Sequence, residues 1–251
     1  MLDTPTILAL TATAVLTGFI DSIAGGGGLV MMPALLFAGV PPLNALATNK
    51  LQSSFGTLVA TGNYRRKGLV RVGEHWPTLA LILAGAVIGV VLVEQVRNDV
   101  LKLVIPVLLM VMAIYVLVSP RMTDEDVHQR VGAAGYAPLA GLLGMYDGFF
   151  GPGVGSFYTT SLVELRGLGL TRATAVSKLY NLTSNVASVM MFAIGGRLWW
   201  ALGLSMAVGA MAGGYLGSHT AMRFGARVIR PLLVILSLGL TARLLWSYFS
   251  T

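Results

Sequence analysis

Cysteine is absent from the 251 residues, which excludes disulfides, thiol catalysis and cysteine-ligated metals. Histidine is scarce: His75, His128 and His219 all fall in or near expected loops, and neither HExxH nor any paired-histidine spacing occurs. Metal-dependent hydrolysis is therefore not expected. A G-x-x-x-x-G-K-S/T loop is also missing, so the chain carries no P-loop for direct ATP drive, and no cofactor is expected. Charge is the scarcest commodity. Asp, Glu, Lys and Arg make up 11% of the chain, against about 25% in a soluble domain.

What is present is apolar. Hydrophobic residues make up 55% of the chain, and the mean hydropathy is +0.78. One soluble domain of this length would need more polar surface, so the composition specifies an all-α polytopic membrane protein with a lipid-facing exterior. The net charge of +7 would suggest nucleic acid in a soluble protein. Here the basic residues lie mostly in short loops and orient the chain in the membrane instead. The amino terminus, MLDTPTILALTATAVLTGFI, has no positive leading region and carries Asp3, as expected of a retained first membrane segment rather than a cleaved signal.

Ten apolar stretches run at about 5–23, 29–40, 45–63, 77–94, 100–118, 135–150, 153–165, 172–194, 199–218 and 228–248. A straight crossing needs ~20 residues. The second and seventh stretches are too short, and each follows a glycine-rich break, GGGG at 25–28 and GPGVG at 151–155. Stretches one and two, and six and seven, therefore read as helical hairpins that need not cross fully. Non-helical backbone at that depth requires protein or a water-filled cavity around it.

Loop charges test the topology. With ten segments and the amino terminus outside, the inside loops hold Arg65, Arg66, Lys67, Arg71, Arg121, Arg130, Arg166, Arg172, Arg223, Arg227 and Arg230. The outside holds Arg97, Lys102, Arg197 and Arg243. This bias favours five segments plus five. An odd number per half inverts one half relative to the other, the plan of many secondary transporters. The expected organisation is a first repeat at 1–120, a cytoplasmic linker at 121–134 and a second repeat at 135–251, all in one membrane domain.

The halves echo one another in sequence. TGFIDSIAGGGG at 17–28 is matched by LGMYDGFFGPGV at 143–154, and LNALATNKLQ at 43–52 by TRATAVSKLY at 171–180. Asp21 corresponds to Asp147 and Lys50 to Lys178. A carboxylate at membrane depth is costly and by default functional. These two can carry a coupling proton, coordinate a cation, pair with a lysine, or cap amides freed at the bend. Each lysine is either a point charge for an anionic substrate or a snorkelling side chain.

Neutral donors surround the lysines: Asn49, Gln52 and Ser53 in one half, Ser177, Tyr180, Asn181 and Asn185 in the other. Helix periodicity sets Asn49, Lys50 and Ser53 on neighbouring faces, and likewise Ser177, Lys178 and Asn181. The glycines of the breaks, Gly25, Gly26, Gly27 and Gly28 with Gly151 and Gly153, can expose amides at the start of a short helix, an anion-binding arrangement. Their bland alternative is close helix contact or a tight turn. The expected site is small, suits an oxyanion, and has Asp21 and Asp147 as coupling residues and no metal.

GFIDSIAGGGGLVMMPALL, ALATNKLQSSFGT, YDGFFGPGVGSFY and TRATAVSKLYNLTSN together resemble the TauE/SafE family of permeases across nearly the whole chain. The resemblance implies a small bacterial inner-membrane protein of two homologous halves. It also implies transport of sulfite, sulfoacetate, thiosulfate or related organosulfonates, with export in some members. Pro152 and Val154 replace glycines of the first break, so the two halves need not contact substrate equally. The expected function is a secondary anion transporter working by alternating access, with proton coupling through Asp21 or Asp147. An anion channel and a non-transporting assembly protein are the alternatives. The expected partners are a small anion and membrane lipid, with homo-oligomerisation left open and nucleic acid excluded.

Overall fold

The computed structural model describes residues 2–118, 123–126 and 129–225, and these contain no β-strand. The helices in chain order are α1 (Thr4–Ala24), α2 (Gly27–Phe37), α3 (Pro42–Arg66), α4 (Trp76–Glu94), α5 (Asn98–Val118), α6 (Ala133–Phe149), α7 (Val154–Arg166), α8 (Leu170–Ile194) and α9 (Trp200–Phe224). A 3-10 turn at Val72–His75 leads into α4. The tenth apolar stretch lies outside the described residues.

Local chemistry sets several boundaries. Pro5, Pro42 and Pro77 sit in the first turn of α1, α3 and α4, where a missing N–H costs nothing. Gly25 ends α1 in the left-handed conformation at φ 77°, as Gly167 ends α7 at φ 65°. At eleven residues, α2 rises about 16 Å, half a bilayer.

Two ends of the bundle can be distinguished by what meets there. At one, the Val131 amide donates to Leu165 O (2.9 Å), Arg166 Nη1 donates to Val131 O (2.9 Å) and the Leu170 amide to Thr123 O (2.8 Å). This basic end also carries Arg65, Arg66, Lys67 and Arg71 after α3, and Arg223 at the end of α9. At the opposite end, Asn44 Nδ2 donates to Arg197 O (2.8 Å) and the Leu43 amide to Asn98 Oδ1 (3.3 Å). The α1–α2 hairpin starts and finishes at that opposite end, where Leu2 and Ile7 line one hollow with Trp199 and Leu202. The α6–α7 hairpin starts and finishes at the basic end.

The hairpins are packed crosswise. α1 runs along α9 and α6 runs along α4, each against a helix of the other half. The seams are made of small residues: a Cβ on Gly213 would enter the backbone of Val15 and Phe19, and one on Gly89 the backbone of Met145 and Phe149. Such backbone proximity is how helices associate where lipid removes the hydrophobic drive. Leu8, Leu16, Ile88, Leu103, Val107, Leu142 and Val208 point outward, as lipid-facing side chains do. Trp76 and Trp200 are exposed at opposite ends, in the place of interfacial anchors.

By length and composition, α1, α9 and the segment Val72–Glu94 each suffice to cross a membrane. α3 and α8 are as long as α9, but their apolar character is diluted by the polar residues that build the candidate site.

Candidate functional site

The tips of the two hairpins meet at the centre of this arrangement. Gly25 and Gly155 face one another so closely that a Cβ on either would enter the other's backbone. Ser156 Oγ donates to Ala24 O (2.9 Å) and Ser177 Oγ to Gly155 O (2.9 Å), tying both breaks and α8 together. Tyr146 OH donates to Pro152 O at 2.8 Å. Ala24 O and Pro152 O, at the ends of broken helix, thus accept from side-chain hydroxyls, the condition for irregular backbone at membrane depth.

Four charged side chains converge beside the tips, and they pair across the halves. Lys50 of α3 bonds Asp147 at the end of α6, and Lys178 of α8 bonds Asp21 of α1 at 3.0 Å. The first pair is sealed, with the lysine side chain 4% and the carboxylate 1% exposed. It is also fully networked: Lys50 Nζ donates to Asn185 Oδ1 (3.1 Å), Ser184 Oγ donates to Asp147 Oδ2, and Asn185 Nδ2 donates to Asn181 Oδ1 (2.8 Å). The second pair is looser. Lys178 is fully buried, but Asp21 keeps 17% of its side-chain surface exposed.

A cavity of about 20 Å³ lies among these groups, lined by Asp21, Gly25, Gly28, Asn49, Lys50, Ser53, Asp147, Gly151, Pro152, Gly153, Asn181 and Asn185. That is room for about one water molecule. Of the residues expected from sequence, Gly27 and Gln52 line an adjoining hollow with Asp21. Gly26 and Ser177 line neither, and Lys178 reaches the site through its bond to Asp21. Gly26 is the residue before α2, and the Ser177 hydroxyl is spent on Gly155.

Ser184 stands outside the sequence-based set. Its only signal was its position one turn beyond Tyr180 and Asn181 on the same polar helix.

A much larger cavity, about 440 Å³, opens at the basic end between the α3–α4 connection, α6, α7 and α8. Arg71, Arg166, Arg172, His75, Tyr136 and Tyr180 line it. Arg71 pairs with Glu74 (3.3 Å) and Arg172 with Asp126 (3.0 Å). The Arg166 hydrogen bond, to Val131 O, goes to a neutral carbonyl. His75 Nδ1 and Tyr180 OH are hydrogen-bonded at 2.8 Å on the wall. Tyr180 lines this vestibule, and its neighbour Asn181 lines the central cavity. Sequence reasoning used these arginines only as topology markers.

A family model described as "Sulfite exporter TauE/SafE" matches residues 10–244. Over 237 residues the chain is 46% identical to the probable membrane transporter protein ORF9 of Sinorhizobium sp, covering 94% of this chain and 91% of that protein. It is 43% identical over 234 residues to the probable membrane transporter protein YfcA of Escherichia coli K12, covering 93% and 87%. A more distant relative, the probable membrane transporter protein YdhB of Bacillus subtilis 168, is 23% identical over 216 residues, covering 84% and 87%. No solved structure matches the chain.

Proposed function

The chain belongs to the sulfite exporter TauE/SafE family, and from that premise we propose that it is a secondary transporter of small anions, with sulfur oxyanions and organosulfonates as substrates. The observation that carries this reading is the crossed pairing of Lys50 with Asp147 and Lys178 with Asp21 where the two hairpin tips meet. Two ammonium groups and a set of amides at one buried point can hold a small anion. They need only exchange their carboxylate partners for it.

The two halves act as inverted repeats, and exchange of access between them moves the anion. The central cavity supports an alternating rather than a permanently open path, since about 20 Å³ holds one water and not a tetrahedral oxyanion. The tips must part for substrate to enter. The positive-inside rule puts the basic end in the bacterial cytoplasm and the amino terminus outside. The vestibule then faces the cytoplasm, and its arginines concentrate anions next to the site.

Purified protein in liposomes tests the proposal with labelled sulfite, thiosulfate and sulfoacetate. Saturable flux that carboxylate controls do not compete is the expected result. Large unitary currents would make it a channel, and binding restricted to carboxylates would remove the sulfur assignment.

A further inference from the structure

Asp21 lines two hollows. One is the central cavity already described. The other, of about 10 Å³, lies between α1, α3 and α9 and is walled by Thr17, Asp21, Gln52, Ser53 and Thr57 with nearby glycine backbone. Its chemistry is one-sided.

Gln52 is 3% exposed. Its amide nitrogen is fully used, donating to Asn49 Oδ1 and to Ser53 Oγ, both at 2.9 Å. That leaves Gln52 Oε1 buried with no hydrogen-bond partner. A buried polar atom left unpaired is costly and calls for an explanation. Two of the three hydroxyl protons nearby are committed elsewhere: Thr57 Oγ1 donates to Ser53 O (2.8 Å) and Thr17 Oγ1 to Ala14 O (3.4 Å), while Ser53 Oγ accepts from Gln52. Those two hydroxyls therefore turn lone pairs to the hollow. A carboxylate, an orphaned amide oxygen and hydroxyl oxygens surround a space the size of one small ion.

We propose that this hollow is a sodium site, and that sodium is the coupling ion of the transporter. Oxygen-only donors select a hard cation. Asp21 already pairs with Lys178, so a single added positive charge is what its carboxylate can share, and among the described residues no cluster of three acidic, histidine or cysteine side chains exists to hold a metal of higher charge. The site sits beside the end of α1 at a helix break, the kind of place where secondary transporters coordinate sodium.

Coupling follows from the geometry and rests on the transport reading above. Asp21 Oδ2 accepts from Lys178 Nζ at 3.0 Å. A cation on Asp21 draws on the same carboxylate charge and loosens its hold on Lys178. The released ammonium then binds the anion. Sodium and anion thus each favour the other's binding, with no net charge added when both are monovalent.

The test uses purified protein melted in sodium, potassium or choline chloride at equal ionic strength. Sodium alone should raise the melting temperature, by about 2–4 °C at saturation. Gln52→Leu, which keeps the volume and removes the orphan oxygen, should abolish that shift. Gln52→Glu, which adds a second carboxylate, should extend the response to calcium. Exposed Thr13→Val should keep the sodium shift. Equal melting in the three salts, or a full sodium shift in Gln52→Leu, overturns the site. In liposomes, sulfite flux that proceeds equally without sodium overturns the coupling while leaving the carrier intact. A sodium shift lost in Gln52→Leu, with no flux of any anion, keeps the site and removes the carrier.

Discussion

Lys50 and Asp147 lie 97 positions apart and form one sealed ion pair, which Ser184 and Asn185 complete from a third helix. Removing one partner strands a charge that is at most 4% exposed, with only the water-sized central cavity beside it. Breaking such a pair costs about 3–5 kcal/mol, whereas replacing both partners by apolar groups is often neutral. Lys50→Met and Asp147→Leu should each sharply lower the melting temperature in detergent. The double variant should recover most of it while sulfite flux stays at background. Flux in the double variant would remove this pair from the transport site.

The sister pair should behave differently. Asp21 remains 17% exposed and borders two cavities, so losing Lys178 leaves its carboxylate next to water-sized space. Lys178→Met should therefore destabilise the protein less than Lys50→Met, by at least about 1 kcal/mol, with transport equally lost. Parallel thermal melts with liposome flux measure both quantities. Equal destabilisation by the two lysine variants would show that the halves are energetically symmetric.

This asymmetry was only partly legible in the sequence. The repeats announced Asp21, Asp147, Lys50 and Lys178 because charge within an apolar run is conspicuous. Hydropathy likewise located the nine described helices, most ends to within a few residues, though α9 runs to Phe224 rather than 218. The boundaries shifted where chemistry other than hydropathy ruled. α3 begins at Pro42 rather than near 45, since proline opens a helix whatever follows it.

Which lysine meets which aspartate was not legible. It depends on how the hairpins dock, α1 on α9 and α6 on α4, and within one repeat nothing distinguishes a partner in its own half from one in the other. Ser177 shows the same limit. Its spacing set it beside Lys178, but the meeting of the hairpin tips turned its hydroxyl to Gly155 O. The vestibule was invisible because Arg166, Arg172 and His75 are far apart in sequence and ordinary as loop residues.

The contact of the hairpin tips gives a prediction with an internal control. Gly25 and Gly39 both have positive φ, 77° and 82°, a conformation costing a side-chain-bearing residue about 1–2 kcal/mol. A Cβ on Gly39 meets nothing within 4 Å, but one on Gly25 enters the backbone of Gly155 and Ser156. Gly39→Ala should cost only the conformational amount and keep full flux. Gly25→Ala must also push the tips apart, so it should lower the melting temperature further and abolish flux. Thermal melts and liposome flux on both variants decide. Normal transport by Gly25→Ala would show that tip contact is dispensable.

The vestibule makes a kinetic rather than structural demand. Arg71 and Arg172 are partly neutralised by Glu74 and Asp126, while Arg166 donates to the neutral Val131 carbonyl and, among the described residues, pairs with no carboxylate. A positive field at a cavity mouth raises local anion concentration and capture rate, and salt screens it over about 8–10 Å. Removing that charge should weaken capture without touching the groups that hold the anion at the centre. Arg166→Gln should therefore raise the KM for sulfite from the vestibule side about 3–10-fold at low ionic strength, with maximal flux unchanged. Because screening already removes the field in the parent protein, the two KM values should converge as salt rises above about 0.5 M. Flux assays in both directions complete the test. The effect should appear only when sulfite is supplied at the basic end, and an equal rise in KM from both sides would assign Arg166 a structural role in the α6–α7 hairpin instead.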